Sequence, residues 1–152
     1  MNIRVANLKD KENVLLLLNE LGEVINDIVR FDPDNVRAHE LGRDNYKKAM
    51  ERQDRRVFVV EEGNELIGVA TFFILTDFIT GKSFAHIDDF VVKKKYRGRG
   101  VGTKLLAFIK EYARNNHIHT IKLTSSTQLA RAYKFYKRHG GIFSQRVIKF
   151  EV

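Results

Sequence analysis

Three glycines in five residues, Gly98, Gly100 and Gly102, separate a β-like run, FAHIDDFVV (84–92), from a stretch of helical period that begins at residue 103. Leu105, Leu106, Ile109 and Tyr112 share one face of that helix, which runs to residue 116. A second strand-like segment, HTIKLTS (119–125), follows at once. A strand, a loop, a helix and a strand in this order require a parallel crossover, because two parallel neighbours cannot be joined by a tight turn. This unit constrains the fold more than any other part of the sequence.

The flanking segments are compatible with it. NIRVA (2–6) reads as a short strand, and Asn7 is placed to cap the helix that follows, with Asp10 at its third position. Val14, Leu17, Leu18 and Leu21 continue that helix at helical spacing. After a break at Phe31-Asp32-Pro33-Asp34, residues 35–52 read as a second helix, charged over most of its surface. RRVFVV (55–60) and LIGVATFFILT (66–76) read as a hairpin joined through Gly63-Asn64. Residues 128–139 form a last helix, ended by Gly140-Gly141, and 142–151 finish as one or two strands. The expected fold is therefore α/β (α+β): a mixed, mostly antiparallel sheet with helices on both faces. With no linker, repeat or low-complexity tract, residues 1–152 form one domain.

Composition excludes several chemistries. The chain has no Cys, so disulfides, thiolate zinc sites and Cys nucleophiles are ruled out. His117 and His119 have no carboxylate at ligand spacing, and no metal is expected. Nothing resembles a signal peptide, and no run approaches the roughly 20 apolar residues of a membrane span, so a cytoplasmic location and no membrane partner are expected. The formal charge of +8 fits a polyanion or a phosphorylated small molecule equally well. The run KKKYRGR suggests nucleic acid, but no recognised nucleic-acid-binding motif accompanies it.

The stretch Arg97-Gly98-Arg99-Gly100-Val101-Gly102-Thr103 is built to receive an anion. Its glycines permit positive φ and close approach, and the first N–H groups of the next helix lack helical partners. It is not a P-loop, which needs Gly-x-x-x-x-Gly-Lys-Ser/Thr. Nor is it a dinucleotide fingerprint, which needs Gly-x-Gly-x-x-Gly and a longer doubly wound sheet behind it. Five cations lie between Lys93 and Arg99.

Arg97-x-x-Gly100-x-Gly102 resembles the signature Arg/Gln-x-x-Gly-x-Gly/Ala of the GNAT N-acetyltransferase superfamily, as do its lead-in FVVKKKY, the later Ala132-x-x-Phe135-Tyr136-x-x-x-Gly140, and the opening IRVANLKDKENV. The resemblance covers essentially the whole chain. It implies a parallel β-α-β core that binds coenzyme A, and an acetyl-coenzyme A-dependent transfer to an amine. Backbone amides of Arg97, Gly98, Arg99, Gly100, Val101, Gly102 and Thr103 would hold the pyrophosphate. The strand end Phe90, Val91 and Val92 would bond the pantetheine arm, where strands 84–92 and 119–125 splay apart. Tyr136 matches the position of the acid that protonates the leaving thiolate, and Tyr133 would pack on the coenzyme or the core. The resemblance puts a carboxylate base in the 84–92 strand.

Simple alternation places His86, Asp88, Phe90 and Val92 on one face of that strand, making Asp88 the first choice and His86 the second. A bulge there would promote Asp89 instead. Ser126 is placed either to touch the bound molecules or to cap the strand end, and Lys134, Lys137 and Arg138 either to meet the adenosine phosphate or to form a solvated face. The Asn expected three residues before the helix Ala is replaced by Leu129, which weakens the case for side-chain contacts to pantetheine. The expected acceptor is a small primary amine, an amino sugar phosphate or aminoalkyl compound, with His86, Arg37 or Arg43 to meet a phosphate. A protein N-terminus or lysine is the alternative acceptor. A nucleic-acid-binding module and a coenzyme-binding domain without transfer are the competing classes. Apolar positions on both faces of 142–151 are compatible with a homodimer.

Overall fold

The computed structural model describes residues 1–29, 39–126 and 128–144, with side chains described except at 26–29 and 39–44. Five strands form one sheet in sequential order: β1 (Asn2–Val5), β2 (Arg55–Glu62), β3 (Glu65–Thr76), β4 (Ser83–Val92) and β5 (Thr120–Leu123). The first four are antiparallel neighbours, and β4 and β5 are parallel, joined through helix α3 (Val101–Asn115). The remaining helices are α1 (Lys11–Val29), α2 (His39–Met50) and α4 (Ala130–Arg138). The mixed sheet and its parallel crossover are those the sequence implies.

Each sheet face carries its own core. On one face Phe58, Phe72, Ala85 and Ile87 pack against Val101, Leu105, Leu106 and Ile109 of α3. On the other, Val57, Val59, Val69 and Val91 meet Val14 and Leu17 of α1 and Tyr46 of α2. Both faces of the central strands are buried, which is why β2 and β3 read as near-continuous apolar runs. At the start of α1, Asp10 is buried and receives both Arg4 Nη atoms, at 2.7 and 2.9 Å, and the Asn7 N–H at 2.7 Å. Asn7 caps the turn through Lys9 N–H, completing a capping box.

The second helix begins at His39 among the described residues. Residues 142–144 are not in a strand, and the remainder of the expected 142–151 strand, with its dimer surface, lies outside the described residues. So does Arg37, and the side chain of Arg43 is likewise not described. Among the described residues no helix is long and apolar enough to cross a membrane.

Candidate active site

The parity of β4 breaks at its aspartates. Phe90 pairs with Ala70 and Ile87 with Phe72, so Asp88 and Asp89 together stand opposite Thr71. This bulge corrects the simple alternation. Ala85 and Ile87 face α3, and so do Phe90 and Val92, whereas Val91 belongs to the core beneath α1 and α2. His86 therefore shares its face with Val91 rather than with Phe90. The bulge occurs where pairing with β5 ends, since the β4–β5 ladder stops at Ile87–Leu123.

The two carboxylates differ. Asp88 is exposed. Asp89 is half-buried, accepts the Thr71 hydroxyl at 2.7 Å, and donates its own N–H to the same oxygen at 2.9 Å. Burial, partly offset by the Thr71 bond, raises the pKa of Asp89 above the ordinary aspartate value, and the neighbouring charge of Asp88 adds to the rise.

Beyond the bulge, one edge of β4 is open toward β5. Lys93 N–H bonds the Ile67 carbonyl at 2.9 Å. By antiparallel alternation Val91 is the next residue bonded to β3, so the N–H and C=O groups of Phe90 and Val92 point away from it. The Val92 carbonyl accordingly accepts Arg97 Nε at 2.8 Å.

That contact leads into the glycine loop. Gly98 and Gly100 have φ of 80° and 79°, a left-handed backbone that glycine adopts without strain. Gly100 caps α3, and the first helical bond runs from Lys104 N–H to its carbonyl at 3.0 Å. The N–H groups of Val101, Gly102 and Thr103 thus have no intrahelical acceptor. No acidic side chain lies in the first turn of α3. A Cβ on Gly102 would stand 3.5 Å from Phe90 and Phe135, so the helix start is pressed against both rings. Such a cradle of free amides fits a diphosphate.

The loop cations are largely occupied in holding it. Glu65 on β3 binds Lys93 at 2.7 Å, Lys95 at 2.9 Å and the Tyr96 hydroxyl at 2.8 Å, which pulls its own pKa down to about 2. Arg99 lies over the Tyr96 ring. The sequence shows this anchor only as one acid among many. Thr103 Oγ lies 3.1 Å from His139 Nε2, while His139 Nδ1 is 2.8 Å from the Phe135 carbonyl. A carbonyl only accepts, so Nδ1 carries a proton and donates it to Phe135.

Comparison with known proteins agrees with this geometry. Residues 22–141 match the model of the acetyltransferase (GNAT) family. The chain belongs to that family. A curated relative is thialysine N-epsilon-acetyltransferase of Sus scrofa, 24% identical over 140 residues that cover 91% of this chain and 82% of the relative. Another is glucosamine 6-phosphate N-acetyltransferase of Trypanosoma brucei brucei, 28% identical over 98 residues, 64% of this chain and 65% of the relative. Among solved structures, a tetramutant of the BH1408 protein of Bacillus halodurans superposes with a TM-score of 0.84 at 20% identity, covering 100% of both chains.

GNAT acetyltransferases take their acetyl group from acetyl-coenzyme A. In this member Tyr136 stands beside the open edge of β4. Its ring packs against Phe90 at 6.2 Å and Phe135 at 5.3 Å between centroids, and its hydroxyl has no hydrogen-bond partner among the described residues. Burial lifts its pKa to about 12. Tyr133 is exposed and stacks on Phe143 at 4.3 Å. Ser126 closes a turn by accepting Gln128 N–H, and Lys134, Lys137 and Arg138 are exposed.

Proposed function

We propose that this protein transfers the acetyl group of acetyl-coenzyme A to a small primary amine. The observation that carries the proposal is the β4 bulge. It sets Asp88 and Asp89 where β4 parts from β5, just before Phe90, whose ring packs on that of Tyr136. Bound along that edge, acetyl-coenzyme A supplies a thioester carbonyl for an amine to attack, with loss of the thiolate.

The residues divide the work as follows. The free amides at Val101, Gly102 and Thr103 hold the pyrophosphate, and the outward N–H and C=O of Phe90 and the N–H of Val92 bond the pantetheine arm in the manner of an added strand. An alkylamine with a pKa near 10 is only about 0.1% neutral at pH 7, so a proton acceptor is required. The bulge favours Asp89, whose pKa burial raises, as the group that takes that proton directly or through water. Asp88, exposed beside it, helps draw the ammonium in. Tyr136, with its raised pKa, keeps its proton until the departing thiolate takes it.

A small acceptor is supported by the relatives, whose names specify thialysine and glucosamine 6-phosphate as acceptors in those proteins. The test is a thiol-release panel with glucosamine 6-phosphate, aminoalkylphosphonates, polyamines and short peptides at equal concentration. Turnover of at least one small amine above the peptides supports the proposal. Turnover of peptides alone overturns it.

A further inference from the structure

A second cross-strand row lies two residues along β3 from the Thr71–Asp89 pair. Arg55 on β2 pairs with Phe73 on β3, Phe73 with His86 on β4, and His86 with Lys122 on β5. These residues share the sheet face that carries Val57, Thr71 and Asp89, because each differs by two positions, or by the bulge, from a residue on that face.

Arg55 is the unusual member. Its guanidinium lies 4.6 Å over the Phe73 ring, and its Nε is buried with no hydrogen-bond partner. Among the described residues no carboxylate bonds it. Asp54 is near enough to feel its charge, but that carboxylate is held by Arg52 at 2.6 and 2.8 Å. Buried donors in native structures are normally satisfied, so one that is not calls for an explanation. A guanidinium over an aromatic ring keeps its fork of N–H donors, which matches a carboxylate or phosphate. Phe73 separates Arg55 from His86 in the sheet, and His86, its half-buried partner on β4, carries a ring that can donate a second bond. Lys122 is more remote, with Nζ 4.2 Å over Phe84.

We infer that Arg55 and His86 form an oxyanion seat over Phe73 for the tail of the acceptor. This rests on the proposed function and narrows it. Along β3 the row lies two residues, about 7 Å, from Thr71, and Arg55 and Asp89 stand on the strands to either side, about 10 Å apart across the sheet, a gap that the Arg55 side chain narrows by reaching over Phe73. The acceptor is then a primary amine on a short chain that ends in a carboxylate, phosphonate or phosphate. The aspartates hold the ammonium at one end and the Arg55 seat holds the anion at the other. An uncharged tail would leave Arg55 unpaired.

The experiment compares 3-aminopropylphosphonate with 3-aminopropanol in the parent, Arg55→Met and Arg55→Lys proteins. Met keeps an unbranched stem on Phe73 without the charge, and thermal unfolding checks that each variant folds. The parent should favour the phosphonate by tenfold or more in kcat/KM, Arg55→Met should abolish that ratio through KM, and Arg55→Lys should restore part of it. A parent with no preference, or a preference that survives Arg55→Met, overturns the seat. A second readout needs no turnover: methylphosphonate titrated into the parent should shift the Arg55 Nε–H resonance, while a resonance that stays fixed counts against the seat. If no amine is acetylated and coenzyme A does not bind, the proposed function has failed, and this titration still decides the seat on its own.

Discussion

The Thr71 hydroxyl serves Asp89 twice, donating to its carboxylate at 2.7 Å and accepting its backbone N–H at 2.9 Å. A single hydroxyl thus satisfies the odd amide of a bulge and steadies a carboxylate that burial would otherwise disfavour still more. The folded pKa of Asp89 lies above its unfolded value, so the folded state binds the extra proton and stability falls as pH rises between the two values. Above that window the ionised carboxylate is a standing cost. Asp89→Asn, which can still accept from Thr71, should raise Tm at pH 7 by roughly 2–4 °C for each kcal/mol relieved. The gain should shrink as pH falls below the window. A Tm that drops at pH 7 would show that the charge is stabilising.

Tyr136→Phe should lower kcat by about 10²-fold, within the usual range for a general acid, and leave KM for acetyl-coenzyme A nearly unchanged. With a pKa of about 12, Tyr136 cannot be the source of any limb of the pH–rate profile near neutrality. Single-turnover kinetics, which isolate chemistry from product release, are the measurement. An unaltered chemical step removes Tyr136 from the mechanism.

The glycines of the cradle should respond differently to the same change. Gly100→Ala forces a Cβ onto a left-handed backbone with φ of 79°, at a cost of about 1–2 kcal/mol, and should weaken coenzyme A binding by disturbing the amides that follow. At Gly102 a Cβ meets the rings of Phe90 and Phe135 at ordinary contact distance, so Gly102→Ala should cost less stability. Gly100→Glu adds bulk and negative charge at the same point and should abolish measurable binding by calorimetry. Retained affinity in a folded Gly100→Glu protein would place the cradle elsewhere.

Asp10 ties β1 to the start of α1, and its pair with Arg4 holds its pKa below the ordinary value. Stability from this pair is fully present above the unfolded pKa and is lost as pH falls through the folded one. Asp10→Ala removes the reciprocal bond of the capping box and leaves Arg4 to Glu61 alone, so it should cost about 2 kcal/mol in denaturant unfolding at pH 7 and less in acid. A cost independent of pH would mean that packing, not charge, is what the substitution removes.

Much of the fold was legible in the sequence because it depends on local chemistry: the crossover from strand–loop–helix–strand order, the cap at Asn7, and the left-handed glycines that lead into α3. What was not legible depends on neighbours far along the chain. Alternation alone put Asp88 with Phe90, although Ala85 and Ile87 are odd-numbered and Phe90 and Val92 even, a slip of phase that betrays the bulge. Val91 conceals it, since a strand covered on both faces is apolar at nearly every position. Glu65 and Arg55 carry no local mark. One becomes an anchor because the loop's lysines return to β3, the other a candidate seat because three strand registers align it with Phe73 and His86.

The phase slip in β4 also bears on how tightly the two aspartates are tied to packing. If either aspartate were lost, Ala85, Ile87, Phe90 and Val92 would fall into unbroken alternation and both cores could close as before. The second aspartate is thus surplus to packing. A single in-frame codon therefore separates the bulged strand from a regular one, and this local geometry can change without rebuilding the protein around it.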